Sequence, residues 1–212
     1  GNPHIVADSY NKYMTSSQSM VFVDSNLIEN SEKEVHKIIE KRFPKAYNWI
    51  DTSNYEFYGN GDAKIISTTL IDNHTNRSIS ILKGNEDLSV LLFIYPHKTI
   101  ANLNLQLILN GQFGSPLLKI NSQAFTENLK FEAEKYTIIK IRFNLPKIGN
   151  GHYSFSFGLS SYDNENNEQF LHWIHDTIFI EIANPDMKYN LGTQLVIEEA
   201  IFEKEGGKVL FG

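Results

Sequence analysis

From Gly61 to the C-terminus the sequence predicts an all-β chain: an antiparallel β-sandwich, immunoglobulin-like or jelly-roll-like, preceded by a short N-terminal helical extension. Three observations lead there. Apolar residues recur with period two, as in Tyr153, Phe155, Phe157 and Leu159, which places alternate side chains on one face of a strand. Polar turn residues such as Asp72-Asn73, Gly84-Asn85, Asn110-Gly111 and Gly149-Asn150-Gly151 separate the runs. No long helical pattern intervenes, so short connections join neighbouring strands and the pairing is antiparallel.

Residues 2–14 have helical spacing, with Ile5, Val6, Ser9, Tyr10, Tyr13 and Met14 on one face and Pro3 in the first turn. Residues 15–19 are a polar break, and 20–23 a short apolar piece. Ser31 and Glu34 form a capping box, which predicts a helix to about Arg42 with Val35, Ile38 and Ile39 inward, stopped by Pro44. Residues 45–58 are aromatic and irregular. Strands are expected at 63–71, 78–82, 88–95, 102–109, 117–121, 136–145, 152–160, 177–183 and 194–203. Their inward faces carry Leu103, Leu105, Leu107 and Leu109, then Tyr153, Phe155, Phe157 and Leu159, then Ile178, Ile180 and Ile182. The chain thus divides into an extension over 1–60 and a sandwich over 61–212.

Composition narrows the function. The 212 residues carry a formal net charge of -6, where a general nucleic-acid binder needs a basic surface. There is no cysteine, hence no disulfide, thiolate metal site or cysteine nucleophile. No apolar run reaches membrane-spanning length. The chain opens without Met and reads as a piece of a longer protein. No Gly-x-x-x-x-Gly-Lys-Ser/Thr occurs, so ATP binding and hydrolysis are not expected, and no cofactor is. Gly-x-Ser-x-Gly is absent too. Asp163, Glu165 and Glu168 crowd one segment and cannot be assigned as a glycosidase pair. His172 and His175 beside Asp176 have poor spacing for zinc, and no metal is expected.

Two stretches point to a family. Gly59, Gly61, Ala63 and Ile65 make a Gly-x-Gly-x-Ala-x-Ile lead into a strand. Downstream, Tyr153, Phe155, Phe157, Gly158 and Leu159 follow a glycine-bearing turn, and Trp173 and Asp176 precede an alternating strand. In this order and spacing the chain resembles the C-terminal carbohydrate-binding domain of Wzt-type ATPase subunits of O-antigen polysaccharide ABC transporters. Gly1, Pro3, Val6 and Tyr10 resemble the end of such an ATPase domain. The resemblance covers the ends well and the middle loosely; residues 15–58 have no counterpart in it. It implies a noncatalytic module that recognises the non-reducing end of a lipid-linked O-antigen polysaccharide. It further implies a cytoplasmic location at the inner membrane, partnership with the ATPase domain of the same chain and the transporter's membrane subunit, and a homodimer formed through the last strand.

Sugars are gripped by aromatic faces on their C–H patches and by planar polar groups on their hydroxyls. On the register above, the outward residues of three strands supply both: Asn104 and Gln106; His152, Ser154 and Ser156; Thr177 and Phe179. Tyr162, at the tip of a loop spanning 162–175, forms the rim. Polar outward residues are equally what any solvated sheet displays. Lys140 and Arg142 point outward from another sheet, as a solubility face or a grip on an anion. The alternative is a structural or dimerisation sandwich without glycan binding.

Overall fold

The computed structural model describes residues 35–111, 113–124, 129–163, 167–185 and 200–204. The expected helix at 2–14, the capping pair Ser31 and Glu34, and residues 194–199 of the last strand lie outside the described residues.

Helix α1 spans residues 35–42. The strands are β1 (Ile50–Asp51), β2 (Ala63–Asp72), β3 (Arg77–Ser78), β4 (Ile81–Leu82), β5 (Asp87–Pro96), β6 (Ile100–Asn110), β7 (Pro116–Asn121), β8 (Leu129–Phe131), β9 (Thr137–Asn144), β10 (Gly151–Tyr162), β11 (Glu168–Ile182) and β12 (Ala200–Lys204). They form two sheets. Sheet A has the order β1-β2-β5-β9-β12, with β3 on β2; sheet B has the order β4-β11-β10-β6-β7, with β8 on β6. The β-sandwich expected from the sequence is the fold observed.

The core between the sheets follows the alternation. In sheet B, Phe155 stands opposite Leu109, Phe157 opposite Leu107 and Leu159 opposite Leu105. All six are fully buried, and Val90, Leu92, Ile139 and Ile141 of sheet A pack into the same cluster. Tyr153 is half-buried, and its hydroxyl donates to Gly149 O at 2.5 Å. A second apolar cluster lies on the outer face of sheet A. There Val35, with Ile38 and Ile39 of α1, covers Ile66, Phe93 and Ile138. The helical extension therefore roofs one end of sheet A.

Several expectations change. The single strand at 78–82 is two: β3 pairs with β2 in sheet A, while β4 pairs parallel with β11 in sheet B. The chain changes sheets at Ile79, which packs on the core, so an apparently continuous apolar run is broken. The loop expected over 162–175 is mostly strand, because β11 begins at Glu168 and pairs back along β10 as far as Tyr162. Two irregularities hid it. Between the pairs Phe155–Ile178 and Phe157–Ile174, β11 holds two more residues than β10, and one extra lies between the pairs Leu159–His172 and Ser160–Phe170. Such insertions break period two while leaving the ladder intact on both sides.

Sheet pairing also starts before Gly61. Residues Ile50 and Asp51 pair with Thr68 and Ser67, and Tyr58 forms an antiparallel bridge with Trp173. Gly59-Asn60-Gly61 then runs against β11, with Asn60 N donating to Phe170 O at 3.1 Å and Gly61 N to Leu171 O at 2.8 Å. At Gly59, with φ +129°, a Cβ would sit 2.5 Å from Leu171 O, so only glycine fits this crossing.

Candidate functional site

Sheet B places β11, β10 and β6 side by side. Its outer face is a polar lattice. Ser160 lies opposite Asn104, Gly158 opposite Gln106, Ser156 opposite Ile108 and Ser154 opposite Asn110.

Two carboxylates organise the lattice. Glu168 Oε1 accepts from Ser160 Oγ at 2.7 Å and from Gln106 Nε2 at 3.2 Å. Asp176 Oδ1 accepts from Ser154 Oγ and, at 3.3 Å, from Asn110 Nδ2. Asn110 Nδ2 also donates to Ser156 Oγ at 2.8 Å, which in turn accepts the Asp176 N–H at 2.9 Å. Asp176 itself has φ 47°, a left-handed backbone within the two-residue insertion of β11. The insertion thus aims a carboxylate across β10. At the other end Asn104 Oδ1 accepts from Ser122 Oγ at 3.3 Å.

Trp173 lies over Gly158 on this face. A Cβ at Gly158 would come within 2.4 Å of the indole, so the glycine is what lets the ring approach the sheet. Phe170 meets Trp173 edge-on at 5.9 Å, and His175 follows at 6.2 Å. Half-exposed Trp173, Phe170 and Tyr162 thus border the buried polar row. Burial, the charge on Glu168 and a hydrogen bond to it push the Tyr162 phenol up.

The expected site residues fall into two groups. His152 and Phe179 are exposed, Phe179 at 68%, and Tyr162 is half-exposed. Asn104, Gln106, Ser154, Ser156 and Thr177 lie on the expected strands but are buried rather than solvated. The hydrogen-bond lattice and the bordering aromatics are the physical reason. Among the described residues Gln106 Oε1 and Thr177 Oγ1 are buried without a partner. Tyr162 ends β10 opposite Glu168 instead of standing at a loop tip. Trp173, taken from the motif, sits mid-strand. Sequence reasoning missed Asn110, Ser160, Glu168 and Asp176. The parity of β6 and β10 was enough to find the first two; the last two were hidden by the irregularities in β11.

His172 and His175 separate. His172 is buried between the sheets, its Nδ1 3.4 Å from the Ile65 N–H, whereas His175 is exposed. Among the described residues no cluster of acidic and imidazole groups is arranged to hold a metal ion.

The model of the Wzt C-terminal domain family matches residues 54–194. The chain belongs to that family. The crystal structure of the C-terminal domain of Wzt is similar with a TM-score of 0.56 at 19% identity, covering 75% of this chain and 94% of that one, a likeness of fold. No curated protein matches. Within this Wzt C-terminal domain, the matched span holds Gly59, Gly61, Gly158 and Trp173, whose packing has just been described, and every strand from β2 to β11. Helix α1 and strand β12 lie outside it.

Proposed function

We propose that this Wzt C-terminal domain is a noncatalytic carbohydrate-binding module and that the outer face of sheet B binds its glycan. The ligand would be the non-reducing end of a lipid-linked O-antigen polysaccharide. The module would select chains in the cytoplasm, at the inner membrane, for an ABC transporter driven by an ATPase domain of the same chain and docked on a membrane subunit. The observation that carries this reading is the combination on one face: amides and hydroxyls fixed by Glu168 and Asp176, with Trp173, Phe170 and Tyr162 alongside. Fixed polar groups bind sugar hydroxyls without first being ordered, and the aromatic faces cover C–H patches. A glycosidase reading is disfavoured. The hydroxyls that hold the two carboxylates, Ser160 and Ser154, are separated by roughly 20 Å along β10 at ~3.3 Å per residue, wider than an acid–base pair across a sugar bond.

The test is a titration of the organism's own O-polysaccharide, followed by calorimetry or NMR. Phe179→Ala should weaken binding about tenfold by removing a stacking surface, while thermal stability stays within about 0.5 kcal/mol because the ring is exposed. Gln106→Ala should weaken binding too. Its buried amide donates to Glu168, so a loss of stability of about 1–2 kcal/mol accompanies it. If Lys140→Ala with Arg142→Ala abolished polysaccharide binding while Phe179→Ala left it intact, the glycan would belong on sheet A.

The dimerisation reading has one observation in its favour. Among the described residues strand β12 pairs with β9 and ends sheet A, an edge on which a second chain can add. A homodimer through this strand should sediment as such, and deletion beyond Thr193 should give monomer or insoluble protein. A chain that sediments as monomer at every accessible concentration refutes the pairing.

A further inference from the structure

The outer face of sheet A carries a second polar feature, away from the apolar end roofed by α1. Between the β2–β3 turn and β9 lies an open cleft of about 450 Å³ lined by Asn73, His74, Asn76, Asp87, Lys140 and Arg142. Its walls are built. Asp87 Oδ1 accepts from Asn73 Nδ2 at 2.7 Å and from Arg142 Nε at 2.9 Å, and its Oδ2 accepts from Arg142 Nη2 at 2.5 Å. Asn73 Oδ1 accepts from Ser89 Oγ at 2.7 Å, and Asn76 Oδ1 accepts from the Tyr47 hydroxyl at 2.6 Å. The side-chain acceptors of Asp87, Asn73 and Asn76 are therefore engaged. Among the described residues, capacity remains on the donor side: the Asn76 amide N–H groups and the Lys140 ammonium. The Asp87–Arg142 pair is neutral as a unit, so Lys140 gives the cleft its positive balance.

We propose that this cleft binds one oxyanion, a phosphate or a carboxylate, with Lys140 as its charge partner and Asn76 as a hydrogen-bond donor. The chemistry follows from the inventory. A cleft whose carboxylate and amide acceptors are engaged, and which keeps an ammonium and amide N–H donors, favours an acceptor-rich ligand, and an ionised acceptor gains most. Asp87 holds Arg142, and Ser89 holds Asn73, so the wall needs no reordering on binding. The site is on the sheet opposite to the proposed glycan face, and its existence does not depend on that reading. In the backbone register of β9 and β12, Lys140 stands opposite Glu203.

The experiment titrates the whole chain with inorganic phosphate, with glucuronate and with neutral glucose, reading amide NMR shifts at Asn73–Asn76 and at Lys140. Phosphate or glucuronate should move these resonances, and glucose should not. A response to phosphate alone assigns the site to phosphate esters; a response to glucuronate alone assigns it to uronic acids. Lys140→Gln, which keeps a polar side chain and removes the charge, should weaken the response about tenfold, and added salt should weaken it further. Phe179→Ala, on the other sheet, should leave it unchanged. The proposal is overturned if neither anion moves these resonances at millimolar concentration, or if Lys140→Gln binds as well as the unaltered chain.

Discussion

Phe157→Ala is expected to lower the free energy of unfolding by about 3–5 kcal/mol, measured as a shift of the denaturant midpoint. Phe157 is fully buried, faces Leu107 on one side and Ile174 on the other, and belongs to the single cluster that joins the two sheets. Removing its ring loses the transfer free energy of the apolar surface, and it leaves a void lined by residues held in two ladders. Those ladders cannot collapse inward without breaking backbone pairing, which puts the cost toward the upper part of the range. Phe179→Ala deletes the same ring three rungs along sheet B, from a side chain 68% exposed, and should cost under about 0.5 kcal/mol. An unchanged midpoint for Phe157→Ala would mean that the inside and outside of β10 have been exchanged. Every assignment on the outer face of sheet B would then fall with it.

The contrast between these two phenylalanines explains how far the sequence could be read. Along β6 and β10 the alternation is unbroken over the core, so Leu103 to Leu109 and Phe155 to Leu159 declare their faces by parity alone. Strand β11 does not, because inserted residues sit opposite Ser156 and beside Leu159. Read with strict period two, the segment from Glu168 to His175 looks like a polar loop, and the carboxylates that organise the candidate site vanish into it. Parity also states only which face a side chain takes. It carries no information on how deeply neighbours bury it, so Gln106 and Ser156 were placed on the right strands while their burial was invisible. That burial comes from contacts distant in sequence, such as Glu168 reaching Gln106 and Asp176 reaching Asn110. The glycines were legible as a motif, whereas their reasons were not. Gly59 is required by Leu171 and Gly158 by Trp173, and each partner is remote along the chain.

Acidification should destabilise the domain well above the range in which carboxylates titrate, and His172 is the expected cause. Its imidazole is buried between the sheets, under the Phe57 ring at 4.5 Å, and burial followed by the nearby Lys64 charge pulls its pKa down from 6.5 to about 3. With Nδ1 facing the Ile65 N–H, the neutral ring is an acceptor on that side, and a proton there would set two donors against each other. The sign follows from linkage. Between pH 6.5 and about 3 the unfolded chain takes up a proton that the folded chain refuses, so stability falls as pH drops through that window. The slope is at most about 1.4 kcal/mol per pH unit, or roughly 4–5 kcal/mol across the window. Asp72, held low chiefly by Thr75, and Asp87, held low chiefly by Arg142, act in the same direction but only below their ordinary 3.8. His97, half-buried and also pulled down by desolvation, acts in the same direction. The measurement is the unfolding free energy as a function of pH for the unaltered chain and for His172→Gln, which retains an acceptor and cannot titrate. The variant should be less stable at neutral pH through altered packing, yet its curve between about pH 4 and 6 should be markedly flatter. Parallel curves in that interval would mean that His172 accepts its proton in the folded state, and that the close seam between β2 and β11 opens to admit it.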